Sequence, residues 1–204
     1  MKNSSYQDEM LALIEHRPFD TKRANVLLQS IDDLEQVISD KNGYKTTLLA
    51  EAVDSNNLDA VQLLLEHGAD PNYVSPDYDC PFLDLQDSWE DESEDRIRYA
   101  ITKLFLAHGA DPNLIVEGLS VYDYATIEVY DFFEETSWWP YILKIYKLLV
   151  LYGGGGHEYE KPVFSEPIDL RRADEYQIRF SREEDGYHIS GFLLNPDEKI
   201  IGQL

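Results

Sequence analysis

The residues best suited to chemistry are carboxylates gathered in one short run. Six of the nine residues from Asp87 to Asp95 are acidic, and clustered carboxylates could bind calcium or serve a metal-dependent enzyme. Calcium loops use a glycine in mid-loop to turn the chain, and this run contains none. We therefore expect a solvated acidic loop that is open to a protein partner, with no metal and no cofactor.

Other residues could suggest catalysis or ligand binding. His67 and His108 each precede a glycine that ends a helical pattern, where a cation suits the negative helix end. Cys80 has no local base to activate it, so we expect a small buried residue. The run Gly153–Gly156 lacks the Lys-Ser/Thr of a phosphate-binding loop, and we expect a flexible join there. The sequence therefore predicts that the chain is not an enzyme.

A repeated decapeptide indicates which elements position these residues. The segment from Leu63 to Asn72 nearly matches the segment from Leu104 to Asn113, and a weaker copy runs from Leu148 to Gly156. In each copy, apolar helical residues lead to a glycine, which tolerates the left-handed conformation that ends a helix. In the first two copies, Asp and Pro then build a turn that stops the helix from resuming.

Residues 40–72 resemble an ankyrin repeat. The residues that match the family pattern are Thr47, Leu49 and Ala52 in the first helix, Val61 and Leu63–Leu65 in the second helix, and Gly68, Ala69, Asp70 and Asn72 in the exit turn. The resemblance implies stacked helix pairs with a concave face of turns and first helices, and it implies binding to proteins. If it holds, Leu63–Leu65 and Leu104–Leu106 lie side by side.

We predict a mostly α fold, namely an ankyrin-repeat solenoid of about three repeats with a helical N-terminal cap and a small C-terminal β-hairpin or meander. The array and its cap would span residues 1–156, and the β-rich cap or appendage would span 157–204. Within the N-terminal cap, residues 33–38 resemble the second helix of a degenerate repeat. Alternating polar and apolar residues after Tyr176 predict the C-terminal strands, which either cover the last repeat or form a docking element.

Extra residues within Gln86–Arg98 and Thr126–Pro140 separate the two helices of the second and third copies. Insertions in successive repeats often mark a binding face, and tryptophan is enriched among interface anchors. Packing of these tryptophans against the fold is the alternative. The expected partner-binding residues, which include one on the concave face, are Trp89, Glu90, Asp91, Glu92, Glu94, Asp95, Glu134, Glu135, Trp138, Trp139 and Tyr73.

Net charge is the most unusual bulk property of the chain. It has 40 acidic and 17 basic residues, a formal net charge of −23. Such a surface repels nucleic acid and anionic membranes and attracts a basic protein, although general solubility is an alternative reason for the charge. The start lacks a signal-peptide pattern, no stretch reaches the ~18 apolar residues of a membrane span, and a single cysteine excludes an internal disulfide framework. These features favour the cytoplasm.

The sequence thus predicts a monomeric, non-enzymatic protein–protein interaction module that binds a basic protein through acidic and aromatic surface. One alternative is an acidic immunity protein that neutralises a basic toxin such as a nuclease. Another, from a different class, is a metal-dependent enzyme that uses the clustered carboxylates.

Overall fold

The computed structural model describes residues 2–39, 42–76, 80–86, 92–131, 139–155, 162–182 and 189–204. These residues are mostly helical, with short strands, as predicted. Backbone contacts divide the chain into two compact units, Met1–Ala110 and Asp111–Leu204. The predicted domain boundary lies elsewhere, after residue 156, because it was placed where the sequence pattern changes from helices to strands. That boundary stays a prediction.

The first unit is built from pairs of helices. The helix α1 packs against both α2 and α3, while α2 and α3 each contact α4, and α4 contacts α6. The contact between α4 and α6 joins the helices that contain Leu63–Leu65 and Leu104–Leu106, and the side-by-side placement of the two segments themselves stays a prediction. The elements are α1 (Lys2–Glu15), α2 (Thr21–Leu28), β1 (Ile38–Ser39), β2 (Lys45–Thr46), α3 (Leu48–Asp54), α4 (Leu58–Glu66), α5 (Pro81–Asp84) and α6 (Glu92–Ala107).

Side-chain caps fix where the central helix pair begins. The Thr47 hydroxyl accepts a hydrogen bond from Ala50 N at 3.1 Å before α3, and Asn57 Oδ1 accepts one from Ala60 N at 3.2 Å before α4. Such caps satisfy backbone donors that a helix start leaves unpaired. Asn57 also donates through Nδ2 to Ile14 O at 2.8 Å, which joins α1 to the start of α4.

The N-terminal cap differs from the sequence prediction in its second half. Its second helix is α2, and residues 33–38 are not helical, so the expected helix there is wrong. Asp33 Oδ1 accepts from Glu35 N at 3.1 Å, and Glu35 Oε1 accepts from Asp70 N at 2.8 Å. These bonds favour a turn, because short polar side chains compete with helical backbone bonding.

The second copy also departs from the expected arrangement. Its first helix, α5, is short, and α6 begins at Glu92, so part of the expected insertion within Gln86–Arg98 belongs to the second helix. Arg98 lies on this added length and is only 1% exposed. Its Nη1 donates to Asp84 O at 2.7 Å, which ties the end of α5 to α6. A buried guanidinium requires such acceptors, and the sequence pattern does not reveal them.

The second unit contains a hairpin, a helix pair and a three-stranded meander. Its helices α7 and α8 pack together, and part of the expected insertion within Thr126–Pro140 is helical in them. The elements are β3 (Ile115–Val116), β4 (Leu119–Ser120), α7 (Val121–Asp131), α8 (Trp139–Leu151), a 3₁₀ helix (Leu170–Glu175), β5 (Gln177–Arg182), β6 (Ile189–Leu194) and β7 (Ile200–Gln203).

A buried polar pair and an aromatic pair hold the start of α7. Asp123 Oδ2 accepts from Ser120 N at 3.0 Å and from the Ser120 hydroxyl at 2.8 Å, while Asp123 N donates to Ser120 Oγ at 3.0 Å. This reciprocal cap begins the helix directly after β4. The rings of Tyr122 and Tyr146 stack with centroids 5.6 Å apart, and their hydroxyls lie 3.0 Å from each other.

The C-terminal strands form the predicted meander, with antiparallel order β5-β6-β7. Both β5 and the 3₁₀ helix contact α8, as expected for strands that cover the last helix pair. Lys147 on α8 donates through Nζ to Tyr176 O at 3.0 Å, and the Phe180 ring lies 6.4 Å from the Tyr146 ring. The meander is therefore attached to the helix pair by both a polar and an aromatic contact.

The Tyr122 hydroxyl gives a testable pH dependence. Desolvation by burial raises the pKa of Tyr122, although its hydrogen bond with Tyr146 acts in the opposite direction. The folded chain therefore keeps this phenol neutral at pH values where the unfolded chain ionises it. The resulting stability is fully present below the unfolded pKa of ~10 and is lost as the pH rises through the higher folded pKa.

We expect Tyr122→Phe to lower the free energy of unfolding at neutral pH by about 1 kcal/mol, because a buried hydrogen bond is lost. The same variant should show a smaller loss of stability than the parent as the pH rises above ~10. Chemical denaturation across this pH range measures both effects. Tyr44→Phe, at an exposed position, is the control, and an unchanged alkaline slope for Tyr122→Phe would contradict the assignment.

Candidate functional site

The exit turns after α4 and α6 have the same construction. His67 Nδ1 lies 2.9 Å from Leu63 O, and His108 Nδ1 lies 2.8 Å from Leu104 O. A carbonyl only accepts, so each bond requires a proton on Nδ1. Gly68 and Gly109 follow, both with φ of 93°. The histidines therefore cap helix ends, as predicted.

The asparagine at the end of an exit turn forms hydrogen bonds with the backbone of the next glycine turn along the chain, and this occurs twice. In the first unit, Asn72 Nδ2 donates to Gly109 O at 3.0 Å. In the second unit, Asn113 Oδ1 accepts from Gly155 N at 2.8 Å, and its Nδ2 donates to Gly153 O at 3.4 Å. No such role for these asparagines was predicted from the sequence, although their recurrence at the same place in two copies was a signal for it.

The glycine run after α8 is an ordered turn where it is described, and the expected flexible join is wrong for Gly153–Gly155. Gly153 has φ of 90°, close to the value in the other two turns, and Gly154 N donates to Leu149 O at 2.8 Å. A Cβ on Gly154 would lie 2.4 Å from Tyr122 Cδ2. The glycines are thus required by backbone conformation and by close packing, which a composition-based interpretation does not capture.

Acidic side chains meet where the N-terminal cap contacts the first exit turn. Glu35 accepts from Asp70 N, Asp33 accepts from Glu35 N, and the neighbouring Asp32 is exposed. We call Asp32, Asp33, Glu35 and Asp70 the acidic edge. Backbone N–H groups hold the carboxylates of Asp33, Glu35 and Asp70 in place, so their negative charge is presented from a fixed position.

Two tyrosines give the first unit aromatic surface. We call the hairpin formed by β1 and β2, residues 38–46, the finger. Tyr44 lies directly before β2 and has 73% of its surface exposed. Tyr73, predicted to contact a partner, is half-buried just after the first exit turn, where its N donates to Asp70 O at 3.2 Å. Tyr44 was not predicted as a contact residue, although its place beside the Asn42–Gly43 turn signal and Lys45 was a cue to an exposed hairpin.

The structure does not test the predicted contacts in the insertions. The backbone of α6 includes Glu92, Glu94 and Asp95, and that of α8 begins at Trp139. The remaining predicted residues lie outside the described ranges, and they are Trp89, Glu90, Asp91, Glu134, Glu135 and Trp138.

The remaining candidate for chemistry, Cys80, and possible metal or ligand sites were also compared with the structure. Cys80 is buried directly before α5, as predicted. Among the described residues, no group of three or more His, Cys, Asp or Glu side chains is placed to hold a metal ion. A groove of about 800 Å³ lies between α1 and α2, with apolar Leu13 and Phe19 beside charged Glu9 and Lys22.

Within the described ranges, no helix combines the length and apolar character needed to cross a membrane.

Pairs of helices that end in matched glycine turns are typical of helical repeats. In the family comparison, residues 49–85 match the model for ankyrin repeats (many copies), a stretch that runs from α3 through α4 and the first exit turn to the end of α5. This stretch is therefore similar to ankyrin repeats, and the resemblance found in the sequence is confirmed there. The comparison with curated proteins found no match.

The ordered glycine turn after α8 can be tested by mutation. We expect Gly154→Ala to lower the free energy of unfolding by about 1–3 kcal/mol, because the new Cβ overlaps the Tyr122 ring. Gly118→Ala is the control, since Gly118 has φ of 94° but no atom lies within 4 Å of the place that a Cβ would take. It should lose about 1 kcal/mol through backbone strain alone. Chemical denaturation compares the two, and a smaller loss for Gly154→Ala than for the control would contradict the packing argument.

Proposed function

We propose that this chain is a protein-binding module of the ankyrin-repeat type whose partner is a basic protein. The observation that carries the proposal is the ankyrin match over residues 49–85, because ankyrin repeats typically mediate binding to other proteins and are typically not enzymes. The net charge of −23 supports the basic character of the partner. Complementary charge speeds encounter and disfavours acidic competitors.

The acidic edge supports a specific place for the first contact. The Glu35 carboxylate accepts from Asp70 N and the Asp33 carboxylate accepts from Glu35 N, so these two charges of the edge are fixed by hydrogen bonds before any partner arrives. A preorganised surface loses little conformational entropy on binding. We therefore propose that lysine and arginine side chains of the partner face this edge.

An exposed aromatic residue can supply the binding affinity that surface charges alone do not provide. Surface ion pairs contribute little free energy each, whereas tyrosine is enriched among residues that dominate interface affinity. Tyr44 meets this requirement because it is 73% exposed on the finger of the same unit. We propose that Tyr44 contributes affinity and that the acidic edge contributes encounter rate and selectivity.

The tryptophan-containing insertions stay in the proposal as a second contact region. Their residues combine aromatic and acidic side chains, the types that suit a basic partner, and insertions in repeat proteins often lie on a binding face. We further propose that the three similar sequence copies are repeats of one array. The similar φ values at their helix-ending glycines support this interpretation. A monomeric state and a cytoplasmic location are part of the same proposal.

A narrower form of the proposal is an immunity protein whose basic partner is a toxin such as a nuclease. The strong acidic excess favours it, because an acidic surface can cover a site that normally binds nucleic acid. Co-purification of the chain with the product of an adjacent gene, followed by a nuclease assay with and without the chain, separates this form from the general one.

Charge reversal on the acidic edge is the first test. A pull-down with the full chain, eluted by salt, identifies the partner, and titration calorimetry then measures Kd. We expect Asp32→Lys to raise Kd roughly fivefold, because it replaces an attraction with a repulsion. Glu66→Lys, at an exposed position on α4, makes the same change in net charge and should alter Kd much less.

The control separates local contact from the overall field. Equal effects of Asp32→Lys and Glu66→Lys would assign the binding to net charge and remove the acidic edge from the proposal. A partner that is acidic, or whose binding is independent of salt, would contradict the proposed charge complementarity.

A second test compares the insertions with the concave-face position. We expect Trp89→Ala and Trp138→Ala each to raise Kd about tenfold or more, as removal of an aromatic anchor does, and Tyr73→Ala to have a smaller effect. Circular dichroism of each variant confirms that the fold is retained. If only Tyr73→Ala weakens binding, the partner uses the concave face and the insertions do not contribute.

A further inference from the structure

The finger of the first unit contains the one Asn-Gly dipeptide in the sequence, Asn42–Gly43. Both residues are exposed. Gly43 has φ of 86°, and an ideal Cβ built there would have no atom within 4 Å. The backbone amide that follows Asn42 is therefore that of Gly43, an exposed glycine. The space that a side chain at this position would occupy is open.

The Asn42–Gly43 dipeptide lies outside the paired positions of the finger. Among the described residues, the strands β1 and β2 contain two residues each and pair as Ile38 with Thr46 and Ser39 with Lys45. The peptide bond between Asn42 and Gly43 is therefore not part of the described strand pairing.

We propose that Asn42 is a site of spontaneous deamidation and isomerisation. The backbone nitrogen of Gly43, after loss of its proton, attacks Cγ of Asn42 and forms a new C–N bond. The bond from Cγ to the side-chain nitrogen breaks, and that nitrogen leaves as ammonia. The product is a five-membered succinimide that includes the backbone of both residues.

Solvent water completes the reaction. It opens the ring at one of two C–N bonds and gives either aspartate, with the original backbone, or isoaspartate, in which the main chain runs through the former side chain. One water is consumed and one ammonia is released overall, and no electrons are exchanged. The reaction therefore requires no enzyme, metal or oxidant.

Glycine at position 43 makes this site more reactive than the other asparagines. Ring closure brings the two residues close together, and a side chain on the second residue hinders the attack, whereas glycine offers none. Asn72 and Asn113 are followed by Tyr73 and Leu114. Both of these neighbours carry side chains that hinder the attack.

The modification changes the surface next to Tyr44. Either product replaces a neutral amide by a carboxylate and adds one negative charge. Isoaspartate also lengthens the main chain of the finger by one carbon atom, which alters the register between β1 and β2. Ageing of the chain thus produces distinct forms of this finger. This inference concerns the covalent structure and is independent of the proposed binding function.

The test is to incubate the purified full-length chain at mildly alkaline pH for several days in water enriched in heavy oxygen. Proteolysis and mass spectrometry then compare the peptides that contain Asn42, Asn72 and Asn113. We expect conversion at Asn42 to be at least several-fold faster than at either other asparagine, with one heavy oxygen incorporated. Labelling by an isoaspartate-specific methyltransferase should mark the same peptide.

Asn42→Gln is the matched variant, because a glutamine would have to close a less favourable six-membered ring. It keeps an amide at the exposed turn, and it should abolish the conversion while leaving the thermal unfolding curve unchanged. A second variant, Gly43→Ser, should slow conversion at Asn42 even if it strains the turn. Conversion at Asn42 no faster than at Asn72, or undiminished in Gly43→Ser, overturns the proposal.

Discussion

The left-handed glycine that follows each of the helices α4, α6 and α8 is the constraint on which the structure depends. Gly68, Gly109 and Gly153 all have φ near 90°, a conformation that costs a residue with a Cβ about 1–2 kcal/mol. This single backbone choice reverses the chain within a few residues. It also places the next Asp and Asn so that Asn72 reaches Gly109 O in the first unit and Asn113 reaches Gly153 O in the second. Helix termination and the connection between neighbouring turns are therefore produced by the same short segment.

The acidic character of the surface follows partly from the same turns. Asp70 Oδ1 accepts from Asn72 N, and Asp111 Oδ1 accepts from Asn113 N, so each carboxylate is required for turn geometry. Both residues remain exposed, and each adds a negative charge at a fixed point. The Glu35 carboxylate extends this arrangement from the cap by accepting from Asp70 N. Part of the large negative charge is thus held in place by the bonds that build the fold.

Sequence alone predicted the parts of the fold that local interactions determine. The helix pair of residues 48–66, the glycine turns after it and the C-terminal meander depend on apolar periodicity, capping residues and turn residues that lie close together in the chain. The errors lie where distant residues decide the outcome. The turn at residues 33–38 depends on the bond from Asp70 N to Glu35, and the tie between α5 and α6 depends on Arg98 reaching Asp84 O. The glycine run was misinterpreted because Tyr122, which requires Gly154 to lack a side chain, is remote in sequence.

The acidic edge and Tyr44 serve different steps of the proposed recognition. Hydrogen bonds hold the Asp33 and Glu35 carboxylates in place, and in the proposed function their charges act on a partner at a distance limited mainly by salt. Tyr44 is 73% exposed on the finger, whose described strands contain two residues each. The proposal therefore assigns the guidance of encounter to the charges and the gain of affinity at close range to the aromatic ring. Since Asn42 and Gly43 directly precede Tyr44, the proposed contact and the proposed deamidation concern the same exposed segment.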